Sequence, residues 1–171
     1  IAVHKSDKLT TTSYDNLEFS GYPKCYVNRD LQYPMQPSFE ALEASLKSVK
    51  DNTPQMAVSV EADFVDDSKK QIGAKAITQF LAARNGMDYR VSFVLVENGV
   101  TGYTQANNYS GSSTPMGGFE NMNGYAAIDM DHVARMNYSY DGVKGSVPAS
   151  VEDGETTTYE AVLDVPKSVQ T

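Results

Sequence analysis

The sequence predicts an α+β chain: a short mixed segment with one helix, followed by an antiparallel β-sandwich. Three observations carry this. A single stretch, "SFEALEASLKSVKD" (38–51), has helical periodicity. From residue 55 onward the apolar period changes from helical to two. Six or seven short strands then follow, separated by Gly-, Asn- and Asp-rich turns, a spacing that fits a sandwich.

In the helix, Phe39, Leu42, Leu46 and Val49 recur at spacings of three, four and three, which predicts one apolar stripe. Ser38 is a candidate N-cap, and Lys47 and Lys50 occupy the last turn, where the helix dipole favours cations. "DNTP" (51–54) ends the helix and links it to the strands. "MAVSVEADF" (56–64) places Met56, Val58, Val60, Ala62 and Phe64 on one face, expected to be buried, against a wet face of Ala57, Ser59, Glu61 and Asp63. "QIGAKAITQFLA" follows with an Ile72, Ala74, Ala76 face and reads as its partner strand. "YRVSFVLVENGV" (89–100) leads into Asn98-Gly99, a pair suited to a type I′ hairpin turn. Residues 101–131 are expected to form a long loop. "HVARMNYSY", "GVKGSVP" and "TTTYEAVLDVP" read as later strands.

Composition removes several function classes. With 22 acidic against 14 basic residues the formal charge is −8, so a phosphate backbone is repelled. No apolar run of about 18 residues is present to cross a membrane as a helix. One cysteine among 171 residues makes neither an intrachain disulfide nor a CxxC motif. Cys25 therefore reads as a small structural hydrophobe in a strand, since redox work needs a stabilised thiolate and a second sulfur. "IAVH" (1–4) reads as the middle of a buried strand, which predicts a processed or truncated product.

Other chemistry is thin. Asp129, Asp131 and His132 would supply part of a metal site, but a zinc or calcium shell needs further ligands, so neither metal nor cofactor is expected. No G-x-S-x-G elbow is present. The aromatic residues of the long loop, Tyr103, Tyr109, Phe119 and Tyr125, form the candidate contact surface, because tyrosine and glycine make adaptable interfaces. The competing reading is that these rings pin the loop to the sandwich.

Gly21-Tyr22-Pro23 followed by a β run resembles the cis-proline turn of thioredoxin-like folds. "GYPKCYVNR", "SFVLVENGV", Gln105 and "HVAR", in that order, resemble the Bacteroidetes twenty-eight-kilodalton outer-membrane protein family. The likeness spans roughly residues 1–165. It implies an incomplete thioredoxin-like segment (1–52), with segment 1–4 paired in parallel with 24–28, and an immunoglobulin-like β-sandwich (55–171). It further implies structural roles for His132, packed under the long loop, and for Arg135, paired with a sandwich carboxylate. The first strand and a CxxC-bearing helix would lie before Ile1, and one more strand after "AVLDVP". The implied role is a non-enzymatic module of the bacterial cell envelope, periplasmic or at the outer-membrane surface. Such a module would bind an envelope protein or glycan and be held at the membrane only by an anchor outside this chain. The alternative is a thiol–disulfide oxidoreductase whose CxxC lies upstream.

Overall fold

The computed structural model describes residues 1–15, 25–27, 31–33, 39–50 and 53–169. The chain is α+β and dominated by antiparallel sheets, with one α-helix among the described residues. A short ladder pairs β1 (Cys25–Val27) with β2 (Leu31–Tyr33). Helix α1 spans Phe39–Lys50. The larger part of the molecule comprises β3 (Met56–Phe64), β4 (Gln71–Phe80), β5 (Val91–Glu97), β6 (Thr104–Ala106), β7 (Tyr125–Ala127), β8 (Val133–Val143) and β9 (Thr156–Asp164). Strands β3-β4-β9 form one sheet, and β5-β8 and β6-β7 form separate ladders.

The three-stranded sheet packs on the β5-β8 ladder. Ala74 and Ala76 of β4 and Leu163 of β9 are buried against Phe93 of β5, with Met136 and Tyr138 of β8 beside them. Phe93 stacks on Tyr159 at 6.2 Å between ring centres. Small alanines on one sheet let the Phe93 ring of the other approach. A second cluster surrounds Phe80, which is wholly buried with Val147 and Val151. A third joins Leu9 to Val100, Met130 and Val133, so the N-terminal segment shares a core with the later strands.

β4 buries the face expected of it, and β3 does not. Val58 and Val60 are 65% and 63% exposed. The cause is position. β3 and β9 are the two edges of the sheet, and the β5-β8 ladder covers β4 and β9 but contributes no buried contact to the middle of β3. The helix also differs. Leu42 and Val49 are half-buried and Ser45 is buried between them, whereas Leu46 is 58% exposed. The buried stripe therefore runs through Ser45, whose hydroxyl bonds back to the Ala41 carbonyl at 3.0 Å.

Segment 1–4 is not a buried strand centre paired with 24–28. Ala2 makes a parallel bridge to Val133, with its N–H on the His132 carbonyl at 2.7 Å, and Ile1 is exposed. β1 pairs antiparallel with β2. Gly21, Tyr22 and Pro23 lie outside the described residues. "GVKGSVP" is a turn leaving β8, closed by Ser146, whose hydroxyl donates to the Val143 carbonyl at 2.7 Å and accepts the Val91 N–H at 2.7 Å.

Candidate functional site

Asn98-Gly99 does not turn a tight hairpin. β5 runs antiparallel to β8 as far as Glu97 opposite Val133, and the two chains then continue side by side. Val100 and Met130 exchange backbone hydrogen bonds at 2.9 and 3.0 Å, and β6 pairs with β7 beyond them. The tract 101–131, expected as a loop, is thus a β-arm extending the β5-β8 ladder past a corner.

Two reciprocal side-chain bonds hold that corner. Asn98 Oδ1 accepts the His132 N–H at 2.8 Å, and Asp131 Oδ1 accepts the Gly99 N–H at 2.8 Å. Gly99 and His132 have φ of 66° and 59°, which swings both amides out of the ladder. An amide turned out of a ladder is open to a new acceptor, and the two Asx side chains supply it. His132 is exposed, so its structural part is played by its backbone and not by a ring packed under the arm. Asp131 is turned inward to the corner, and no group of three His, Cys, Asp or Glu side chains is placed to hold a metal among the described residues.

The tip is fastened from within. Buried Asn107 donates to the carbonyls of Phe119 (2.7 Å) and Asn123 (3.1 Å), and its Oδ1 accepts the Tyr109 N–H at 3.1 Å. Glu120 Oε2 accepts the N–H groups of Met116 and Gly118 at 2.9 and 3.0 Å. Those backbone donors, together with its own N–H, hold the Glu120 carboxyl below the usual carboxylate range. Neither Asn107 nor Glu120 stands out in the sequence. The readable signal was only an Asn two residues before a tyrosine in a Gly-rich tract, which marks an Asx turn.

The arm is tied to the body through Asp7. His4 Nδ1 lies 2.8 Å from Asp7 Oδ2, the Leu9 N–H donates to Oδ1 at 2.8 Å, and Gln105 Nε2 of β6 reaches Oδ2 at 3.3 Å. Burial pushes this carboxyl up, but the hydrogen bonds from His4, Leu9 and Gln105 outweigh it and hold it below its ordinary value. Below the corner, Arg135 meets the sandwich carboxylate Glu97, Nε to Oε2 at 3.1 Å, and its Nη2 donates to the Ser168 carbonyl at 2.6 Å. The C-terminal segment thereby closes the end of the two sheets over a buried ion pair.

The four rings of the predicted contact surface are not equivalent. Tyr103 packs on the Leu9–Val133 cluster, and Tyr109 and Phe119 are half-buried. Tyr125 alone of the four stands in solvent, 73% exposed. Its cross-strand partner is Ala106, and Thr104 sits opposite Ala127. All four residues are exposed while Ala126 is buried behind them, so the arm presents a tyrosine among small neighbours on a flat, braced face. Cys25 is half-buried in β1 beside Tyr33.

Elsewhere the surface of the described residues carries broad depressions, two of them on the three-stranded sheet. One, of about 550 Å³, lies over Gly73 on the solvent face of the three-stranded sheet, between Asp63 and Val162, with the Lys75–Glu61 pair (3.3 Å) at its side. The other, of about 390 Å³, runs beneath the overhanging β3 and is lined by Val58, Val60, Phe80, Val91 and Phe93. The first is lined by the carboxylates of Glu61, Asp63 and Glu160 on the open face of the sheet, and the second mainly by apolar side chains. No protein-family model, no curated protein and no solved structure matches the chain.

Proposed function

We propose that this chain is a non-enzymatic recognition or scaffolding module of the bacterial cell envelope, built on an immunoglobulin-like sandwich, with the Tyr125 face of the β-arm as its contact site. The observation that carries the reading is the contrast between a fully solvated tyrosine and the rigid support behind it. Ordering a floppy loop on binding costs free energy; an arm already fastened by Asn107, Glu120 and the Asn98–Asp131 corner avoids most of that cost. A tyrosine offers a large amphipathic contact with little rotamer entropy to lose, against protein or the apolar face of a glycan.

The net charge of −8 favours those partners over nucleic acid. No helix among the described residues is long and apolar enough to cross a membrane; the external anchor in this reading is drawn from the sequence resemblance. The envelope address and the thioredoxin-like half rest on the sequence resemblance alone.

The test is capture of solubilised envelope proteins and envelope glycans on the immobilised chain. Removing 101–131 outright would also remove the core residues Ala126 and Met130, so a point variant is the cleaner probe. Tyr125→Ala is expected to weaken capture about tenfold or more, the scale of a central aromatic contact. Equal capture by Tyr125→Ala and the unaltered chain would remove the proposal.

A further inference from the structure

We infer that β3 is an association edge, at which two copies of this chain pair antiparallel about a two-fold axis through Val60.

The backbone supplies the first argument. The Leu81 N–H donates to the Gln55 carbonyl at 3.1 Å, and the Val65 N–H donates to the Gln71 carbonyl at 3.0 Å. Odd-numbered positions therefore turn their backbone groups toward β4. Met56, Val58, Val60 and Ala62 turn theirs outward, along an edge with no neighbouring strand among the described residues. At the end of the edge the Phe64 N–H is taken by Asp63 Oδ1 at 2.8 Å. Natural sheets blunt such edges with Lys, Pro or a bulge. β3 has neither residue, and its nine-residue ladder with β4 runs without a register shift.

The side chains supply the second argument, which names the occupant. With Val60 on the axis, exposed Val58 faces exposed Ala62 of the second copy and half-buried Met56 faces exposed Phe64, so the apolar residues of the edge meet one another. On the other face Glu61 falls opposite Ser59 and Asp63 opposite Ala57, so no carboxylate stands directly against another. Glu61 is also held by Lys75 Nζ at 3.3 Å. Centring the pair on Glu61 would set that carboxylate against its own copy, and slipping by one residue would set the apolar face of one copy beside the carboxylate face of the other. The sequence is thus complementary to itself in the register with the longest overlap. Two three-stranded sheets would merge into one continuous sheet across an isologous interface.

The experiment is sedimentation velocity on the intact chain over a concentration series, with circular dichroism to check folding. The unaltered chain is expected to dimerise. Val60→Lys brings two ammonium groups together on the axis and is expected to weaken association at least tenfold, without changing the spectrum of the monomer. Val58→Lys, opposite Ala62 of the second copy, gives an independent reading with the same expectation. Val162→Lys, exposed on β9 away from the edge, is expected to dimerise like the unaltered chain. A chain that stays monomeric throughout overturns the inference and leaves the edge to the strand of a different polypeptide. Dimerisation of Val60→Lys and Val58→Lys at unaltered strength overturns it as well.

Discussion

Arg135 Nε lies 3.1 Å from Glu97 Oε2, and both side chains are almost wholly withdrawn from water. Removing two charges from water costs several kcal/mol, which a close partner largely offsets; removing one partner leaves the other buried and uncompensated. Arg135→Met or Glu97→Leu alone should therefore destabilise the chain by about 3–5 kcal/mol. The double replacement should cost clearly less than the sum, because no charge is then stranded. Urea unfolding of the two single variants and the double variant checks this.

Gly142 has φ of +75°, and a Cβ placed there would sit 2.4 Å from Arg90 Cβ and 3.1 Å from the Arg90 carbonyl carbon. Backbone and side chain of one residue both block it, so the neighbour has no easy retreat. Gly142→Ala should cost about 2 kcal/mol or more, from left-handed strain and overpacking together. Gly111→Ala, at φ +73° in open space, carries the strain without the clash and should cost less. Thermal melts of the pair separate the two effects.

Asn107 supplies its side chain to three backbone partners from a buried position. Asn107→Ala strands the carbonyls it satisfied, a loss of about 1–3 kcal/mol locally. Hydrogen exchange should quicken at residues 109–124 before it changes at β4, because the arm is stapled separately from the sheet core.

The arm should also loosen in acid. The folded carboxyls of Asp7 and Glu120 both titrate below their ordinary values of 3.8 and 4.5. A lowered folded value means stability that is fully present above the unfolded value and lost as pH falls through the folded one. The fastenings at Gln105 and at Met116–Gly118 should thus hold at neutral pH and weaken as pH falls below the ordinary values of 3.8 for Asp7 and 4.5 for Glu120. Amide exchange of the Met116 and Gly118 N–H groups against pH measures this. Glu120→Gln should flatten the response there and leave the Leu9 amide's response intact.

How far the sequence could be read depended on whether a local pattern also governed tertiary placement. β4 was legible because its alternation and its burial agree: Ala74 and Ala76 face the core as their spacing implies. β3 shows the same alternation, yet its apolar face is wet, since the placement of the β5-β8 ladder over β4 and β9, rather than period, decides which strand is covered. Leu46 fell outside the buried stripe because Ser45, whose hydroxyl is satisfied within the helix, could turn inward in its place. Asn98-Gly99 does adopt a turn conformation at Gly99, but the bonds from Asn98 and Asp131 convert that turn into a corner between two ladders. Arg135 and Glu97 lie 38 residues apart in sequence and meet only through the β5-β8 pairing, which no local motif encodes. Of the contact surface, the tract was visible and the single solvated ring was not. Tyr125 lies in β7 on the exposed face of its ladder, whereas Tyr103 precedes β6 and packs on the Leu9–Val133 cluster.

The most direct measurement of the central claim is a hydrogen-exchange footprint of the chain with and without the envelope material it captures. The account predicts new protection at Thr104–Ala106 and Tyr125–Ala127, with none over the Gly73 depression. Protection that leaves the β-arm unchanged and appears on the three-stranded sheet instead would contradict it.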